Sequence, residues 1–243
     1  MNVRMGLLGI SAAVLSGAFP ASAVGQVNDF EDGTTQGWQT NLLGSGGAPQ
    51  PVVQSGGAGG PSDDYLLVAS SGGSGPGSRL NIINPTGWSG NYLSNGVTGF
   101  SARLINLGSS DLYLRILLED PAPMNPPTNI AYSGDAFFLP VGSGWTDAFF
   151  STSAADLVIG IGTVESALAN TTTIRLYHSF ADAAPGAGAG ISPVNGRLGL
   201  DDFRAIGSIP EPSTWATILL GFGAIGAGLR SRRGQRKPAV AAT

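Results

Sequence analysis

The stretch Asp111-Leu112-Tyr113-Leu114-Arg115-Ile116 alternates polar and apolar side chains along its whole length. Successive side chains of an extended strand point to opposite faces, so the two leucines and the isoleucine share one face and the other three share the opposite face. The stretch Thr173-Ile174-Arg175-Leu176-Tyr177-His178 repeats this pattern. Both stretches therefore predict strands with one buried face, the arrangement typical of antiparallel sheets.

Around these two stretches, the chain is rich in residues that favour strands and turns. Asn95-Gly96 and Asn195-Gly196 are turn signals. One helix is a further possibility over Ser153–Asn170, although Gly160 and Gly162 interrupt it. We predict eight strands joined by turns, and hence an all-β, antiparallel β-sandwich of the jelly-roll type. The predicted strands are Tyr65–Ser70, Arg79–Ile83, Gly99–Ile105, Leu112–Leu118, Ala136–Pro140, Trp145–Ser151, Thr173–Ser179 and Arg197–Ile206.

The first 23 residues are typical of a secretion signal. Arg4 gives a weakly positive start, Leu7–Phe19 is uncharged and mostly apolar, and Ala21-Ser22-Ala23 is a small-x-small cleavage site. We therefore expect export, with the mature chain beginning at Val24. The alternative, a first buried helix of the domain, agrees poorly with the strand and turn patterns that follow at once.

Residues 24–207 form the predicted folded domain, and this domain is acidic. It has fifteen Asp and Glu against six Arg, a formal charge of −9, and it has no lysine and no cysteine. Nucleic acid is excluded as a partner on these grounds, because phosphate binding needs a basic face. Thiol catalysis and cysteine zinc sites are excluded as well, whereas a cation such as Ca²⁺ is compatible with the charge.

The chain changes character after Gly207. Pro210-Glu211-Pro212 cannot be helical at its prolines, and the next 17 residues, 213–229, carry no charge. That length lies at the lower limit for a span of the bilayer. A basic end containing Arg230 and Lys237 follows and predicts a cytoplasmic side, with the domain held outside the inner membrane. We thus expect a sorting segment over residues 208–243.

This segment resembles the PEP-CTERM sorting signal of Gram-negative bacteria. The resemblance lies in Pro210-Glu211-Pro212-Ser213-Thr214-Trp215, in the glycine-rich span from Leu219 to Ala224, and in the arginine cluster at the end. It implies processing near Pro-Glu-Pro by an exosortase-type protease, and an association with exopolysaccharide and biofilm. A plain membrane anchor would explain the span and the basic end but not the Pro-Glu-Pro motif.

The domain itself resembles the galactose-binding-like jelly rolls, among them carbohydrate-binding modules and the laminin B domain. Asp29-Phe30-Glu31-Asp32-Gly33 is similar to the opening strand of that group, and the segment Pro85–Tyr92 is similar to a laminin B segment that precedes a strand. Gly144-Trp145-Thr146 is similar to the start of a later strand, and Leu200-Asp201-Asp202-Phe203 to the closing strand. The cysteine-rich repeats that flank animal laminin domains are absent, so laminin's own role does not carry over.

The sequence offers little for catalysis. A Ser-His-Asp triad would have to use His178, the single histidine, which lies in a strand pattern where we expect it to be half exposed. Paired carboxylates could make a glycosidase. However, pairs such as Asp63-Asp64 and Glu119-Asp120 lie in predicted turns, where solvated side chains explain them.

Aromatic side chains are the better candidates for sugar binding, because sugar rings stack on exposed aromatic faces. Trp38 and Trp145 begin predicted strands, and core packing explains them. Trp88 and Tyr92 lie in a segment rich in Gly and Asn that is predicted to be a loop. We therefore name Trp88 and Tyr92 as the candidate carbohydrate-binding residues, with core packing as the alternative.

Carboxylates flank both the first and the last strand of the domain, namely Asp29, Glu31 and Asp32 near the start and Asp201 and Asp202 near the end. If the two strands are antiparallel neighbours, these clusters lie within reach of one Ca²⁺, which takes oxygen ligands. The resemblance to carbohydrate-binding modules implies Glu31 and either Asp201 or Asp202 as ligands. The alternative is that one carboxylate of each pair points to solvent and the other caps a turn.

Taken together, these features predict an exported, non-catalytic protein of the extracellular matrix or cell surface. The predicted partners are an exosortase-type protease, exopolysaccharide, and the inner membrane during export. A carbohydrate-binding module that recognises a polysaccharide is the second hypothesis, and an extracellular hydrolase is the third.

Overall fold

The computed structural model describes residues 25–40, 49–73, 78–85, 87–120, 127–180 and 192–207. The predicted signal peptide, the Pro-Glu-Pro motif and the predicted span 213–229 lie outside these residues. No helix within the described ranges is long and apolar enough to cross a membrane.

Twelve strands and one short helix make up the described fold. The elements are β1 (Val27–Asn28), β2 (Val52–Ser55), β3 (Asp64–Ala69), β4 (Asn81–Asn84), β5 (Val97–Asn106), β6 (Leu112–Asp120), β7 (Asn129–Ser133), β8 (Phe137–Leu139), β9 (Thr146–Ser151), β10 (Leu157–Ile161), α1 (Val164–Ala169), β11 (Thr173–His178) and β12 (Arg197–Gly207). All eight predicted strands are present. The structure adds β1, β2, β7 and β10, and it limits the helix suggested over Ser153–Asn170 to six residues.

The strands form two antiparallel sheets of six strands each, which confirms the predicted sandwich. The first sheet has the order β2-β3-β12-β5-β9, with β1 also paired to β12. The second sheet has the order β10-β7-β6-β11-β4, with β8 also paired to β6. The chain passes from one sheet to the other several times, so strands distant in sequence become neighbours and the last strand, β12, lies in the middle of the first sheet.

The main core lies between the two sheets and follows the alternation of the strands. Leu112, Leu114, Ile116 and Leu118 of β6 are all buried in this core. The last strand contributes Leu198, Leu200 and Phe203 to the same core. The loss of apolar surface to the sandwich interior is the main force that holds the two sheets together.

The last strand is irregular at one point. Its pairing with β5 shifts between Asp201 and Arg204, and Asp202 has a φ of +51°. Such a φ is uncommon for a residue other than glycine. The shift is a β-bulge, which bends the strand next to the carboxylates that were predicted to bind calcium.

Candidate functional site

The two aromatic residues predicted to bind sugar lie in the core. Trp88 and Tyr92 are each 1% exposed. The Trp88 ring lies edge-on to Phe203 at 4.9 Å between centroids, and the Tyr92 ring lies edge-on to Phe100 at 5.3 Å. The prediction for Trp88 and Tyr92 is therefore wrong, because the turns that carry them direct both rings inward.

Both buried indoles on this side of the core donate to one amide. The Nε1 atoms of Trp38 and Trp88 donate to Oδ1 of Asn28 at 2.9 and 2.7 Å. Tyr92 likewise satisfies its hydroxyl inside the core by donating to the carbonyl oxygen of Trp88. Buried polar groups are normally paired in this way, so these rings belong to a closed, self-satisfied part of the core.

A different group of aromatic rings reaches solvent. Tyr113 of β6 pairs directly with Phe138 of β8, with ring centroids 5.0 Å apart, and Phe180 lies 4.9 Å from Tyr113. Phe138 is 49% exposed and Phe180 is 59% exposed. We call Tyr113, Phe138 and Phe180 the aromatic patch. It offers apolar ring surface at the protein surface, where a ligand could stack.

The aromatic patch lies at one end of the outer face of the second sheet, the face turned away from the main core. Since Leu112 and Leu114 point into the core, Tyr113 and Arg115 point outward. Further along this face, a cross-strand row runs over five strands. The row consists of Val158, Tyr132, Leu117, Arg175 and Ile83.

The centre of the outer face holds a second, smaller cluster of buried residues. Leu117, Ile130, Tyr132 and Tyr177 form it, with Val158 packed beside them, and it is separate from the main core. Exposed sheet faces of antiparallel sandwiches are usually polar. An outer face with buried leucine, isoleucine and two tyrosines is thus unusual and marks this face as more than a solvated surface.

An ion pair lies next to this cluster. Nη2 of Arg175 is 2.7 Å from Oε1 and 2.9 Å from Oε2 of Glu119. The Glu119 side chain is 2% exposed and that of Arg175 is 18% exposed. Arg175 neutralises Glu119 through both carboxylate oxygens, so the pair adds little net charge to the face.

On the outward-pointing positions of β4 and β11, three buried side-chain atoms have no hydrogen-bond partner among the residues that the structure describes. They are Oδ1 of Asn81, Oγ1 of Thr173 and Nε of Arg175. Asn81 belongs to β4 and the other two to β11, its neighbour in the sheet. Buried donors and acceptors that lack partners are rare in native proteins. A buried water molecule is the usual partner of such groups.

Arg115 has a structural role on the same face. Its Nη1 donates to the carbonyl oxygen of Ser133 at 2.8 Å and also to that of Gly134, and its Nε donates to the carbonyl oxygen of Ser179 at 3.4 Å. The guanidinium thus ties β6 to the ends of β7 and β11. Arg115 is thus bonded to carbonyl oxygens and Arg175 is paired with Glu119. The charged side chains named on this face therefore have partners within the protein, and the aromatic rings form its exposed part.

Two of the predicted calcium ligands lie near a third carboxylate that was not predicted, Asp63. Asp201 is 2% exposed, and its Oδ2 accepts the N–H of Ala58 at 2.9 Å. Burial, reinforced by the neighbouring Asp63 carboxylate, raises the pKa of Asp201 to about 6. Oε1 of Glu31 accepts the N–H of Asp64 at 2.8 Å, and Glu31 also neighbours Asp63.

The other two predicted ligands are engaged elsewhere. Oδ1 of Asp29 accepts from Nε2 of Gln36 at 3.2 Å, and Asp202 forms an ion pair of 2.7 Å with Arg204. Over the part of the chain that the structure describes, no group of three or more His, Asp or Glu side chains is arranged to hold a metal ion. Asp201 and Glu31 accept from backbone N–H groups instead, so calcium binding stays a prediction.

Comparison with solved structures shows similarity to carbohydrate-binding modules and to an agarase. Against the family 11 module of Clostridium thermocellum in complex with a β-1,3-1,4-mixed-linked tetrasaccharide, the identity is 13%, the TM-score 0.45, and the match covers 74% of this chain and 94% of the module. The CBM22-1–CBM22-2 tandem domain of Xyn10C from Paenibacillus barcinonensis has 16% identity to the chain and a TM-score of 0.44. That match covers 82% of this chain and 49% of the tandem domain.

An exo-β-agarase is similar at 11% identity and a TM-score of 0.45, over 66% of this chain and 22% of the agarase. The chain thus spans less than two thirds of the agarase and of the tandem domain. At such identities the similarity concerns the fold alone. No curated protein sequence matches the chain.

The C-terminal segment matches a family of sorting signals. Residues 208–233 match the PEP-CTERM protein-sorting motif, and the match includes Pro210, Glu211 and Pro212. It begins directly after the last residue of β12, Gly207. The chain therefore joins an antiparallel β-sandwich to a PEP-CTERM protein-sorting motif.

Proposed function

We propose that this chain is an exported, non-catalytic protein of the cell surface or extracellular matrix, and that its sandwich binds a polysaccharide on the outer face of the second sheet. The sorting motif supports export and processing by an exosortase-type protease. The association with exopolysaccharide and biofilm is part of the proposal.

The observation that carries the binding role is the aromatic patch and its continuity with the rest of the outer face. Phe138 and Phe180 present ring surface to solvent, and Tyr113 joins them to a strand that continues toward Glu119. Carbohydrate has apolar C–H faces and a rim of hydroxyl groups. The patch supplies surface for the C–H faces, since Phe138 is 49% exposed and Phe180 is 59% exposed.

The charges on this face favour a neutral glycan over an anionic one. Arg175 is paired with Glu119, and Arg115 donates to backbone carbonyl oxygens. A hydrolase is less well supported, because glycosidases use two carboxylates flanking the bond. Glu119 is the one carboxylate on the outward-pointing positions of β6, and both of its oxygens are held by Arg175.

The test is binding of residues 24–207 to an array of neutral and acidic polysaccharides, including extracellular polysaccharide from the producing organism. We expect retention on at least one neutral polysaccharide. Phe138→Ala and Phe180→Ala should each weaken it about tenfold. Leu93→Ala, at a residue 51% exposed on a turn, is the matched control and should leave it unchanged. Binding that survives Phe138→Ala and Phe180→Ala together would refute the proposed face.

A further inference from the structure

A pocket of about 230 Å³ opens at the side of the sandwich, away from the outer face of the second sheet. It lies where β9, the edge strand of the first sheet, meets the residues that precede β8 and β10 of the second. The residues that line it and matter here are Ser133, Asp135, Phe137, Phe149, Ser151 and Asp156. In β8, Phe137 contributes to this pocket while its neighbour Phe138 belongs to the aromatic patch, as strand alternation requires.

The pocket combines aromatic side chains with two carboxylates. Phe149 is 54% exposed, and Phe137 lies edge-on to the buried Phe150 at 6.2 Å between ring centroids. Asp135 and Asp156 are both exposed, and neither carboxylate has a hydrogen-bond or ion-pair partner among the described residues. Among the described residues, none that lines the pocket is basic. The pocket is therefore negative and partly apolar.

Its size restricts the ligand. Pockets for drug-sized molecules hold about 300–1,000 Å³, so a volume of about 230 Å³ suits a unit no larger than one sugar ring. Its charge restricts the ligand further. Unpaired carboxylates disfavour an anion and attract a cation, and aromatic rings add to the attraction for an ammonium group near their faces.

We infer that this pocket binds a single protonated amino-sugar unit, whose ammonium group lies toward Asp135 and Asp156 and whose C–H-rich ring lies against the phenylalanine side chains. This site is separate from the outer face and does not depend on polysaccharide binding there. An alkyl amine shares the ammonium chemistry but lacks the ring, so the experiment must distinguish the two.

The experiment is saturation-transfer difference NMR on the full chain, purified in detergent. Glucosamine should receive saturation from the protein, whereas glucose and N-acetylglucosamine, which have the same ring without the charge, should receive little. Cadaverine should also bind more weakly than glucosamine. Equal transfer to glucose and glucosamine would overturn the assignment of an ammonium site, and stronger binding of cadaverine would overturn the assignment of a sugar.

Variants locate the site. Asp135→Asn combined with Asp156→Asn should weaken glucosamine binding about tenfold, at the scale of two exposed ion pairs. Asp147→Asn, which changes a carboxylate 92% exposed on β9 outside the pocket, is the matched control. Phe138→Ala should leave glucosamine binding intact, so this site can fail or succeed independently of the outer face. Unchanged binding in the double variant would overturn the inference.

Discussion

The backbone N–H of Tyr113 donates a hydrogen bond of 2.9 Å to Nδ1 of His178. An Nδ1 that accepts carries no proton, so His178 is neutral with its proton on Nε2. The ring is fully buried, and not half exposed as its strand pattern suggested. Burial lowers the pKa of His178 to about 4, because the charged imidazolium would lose its hydration.

Acidification should therefore destabilise the domain through His178. The unfolded chain takes up this proton near pH 6.5 and the folded protein only near pH 4, so stability is lost as the pH falls from 6.5 to 4. At about 1.36 kcal/mol per pKa unit, the loss at pH 5 is about 2 kcal/mol. Urea unfolding at pH 7 and pH 5 measures it. His178→Asn, whose amide oxygen can still accept from the N–H of Tyr113, should reduce the difference between the free energies of unfolding at pH 7 and pH 5. An identical difference in both proteins would contradict this account.

Asp201 should have the opposite pH dependence. Its pKa is raised to about 6 in the folded protein, so its contribution to stability is greatest at low pH and is lost as the pH rises from about 4 to 6. Asp201→Asn removes that loss while an amide oxygen can still accept from Ala58. We expect the free energy of unfolding of Asp201→Asn to exceed that of the original protein by up to about 3 kcal/mol at pH 7.5 and to differ little from it at pH 4. Urea unfolding measures both values. Asp147→Asn is the exposed control, and a destabilised Asp201→Asn protein at pH 7.5 would count against the pairing with Asp63.

Calcium supplies a separate test of the same carboxylates. An ion that binds only the folded state raises the melting temperature according to the logarithm of its concentration over its dissociation constant. We expect thermal unfolding of residues 24–207 to move upward with Ca²⁺ and back with chelator, more at pH 7.5 than at pH 5.5, where Asp201 holds a proton. Glu31→Gln should abolish the shift. Equal melting temperatures in calcium and in chelator would show that no calcium site exists.

Trp88 and Phe138 should behave differently when each is replaced by alanine. Trp88 is buried against Phe203 and Phe100, so Trp88→Ala should cost about 3–5 kcal/mol of stability and leave the polysaccharide affinity of the folded protein unchanged. Phe138→Ala should lower the affinity with a small effect on stability. Chemical unfolding and affinity electrophoresis on the same samples separate the two effects. Loss of affinity in a well-folded Trp88→Ala protein would restore the binding role first predicted for this residue.

Removal of the C-terminal tail is the prediction for sorting. Pro210-Glu211-Pro212 lies outside the described residues, and its prolines disfavour a helix. We therefore expect a protease to reach the chain at this motif, ahead of the predicted span. Mass spectrometry of protein recovered from the cell surface or the medium should lack the residues that follow this segment. Recovery of the exported protein with Trp215–Thr243 intact would contradict processing.

The alternating strands were predictable because their pattern depends on one physical rule. β6 and β11 separate core-facing leucine and isoleucine from outward side chains residue by residue, and the structure reproduces that separation. β7 and β10 were missed for identifiable reasons. β7 follows a proline-rich segment, and β10 contains Gly160 within a stretch whose apolar run also suits a helix.

The site was harder to predict than the fold. Trp88 lies in a turn, and no periodic rule determines where a turn residue directs its side chain. The outward positions of Tyr113 and Arg115 were readable from the alternation of β6, but their meeting with Phe138 and Phe180 depends on pairing between strands that are distant in sequence. The proximity of Asp63 to Asp201 could not be predicted either, because 138 residues separate them in the sequence and only strand pairing brings them together.

The position of β12 has a mechanical consequence for a protein held by its C-terminus. β12 runs through the middle of the first sheet, bonded to β3 on one side and β5 on the other, and the sorting motif begins one residue after its end. Tension from flowing water at such an attachment would pull along this strand. The hydrogen bonds on both sides would then be loaded in shear and have to break together. A pull on the C-terminus would therefore act on a strand that two neighbours hold, whereas an edge strand is held by one.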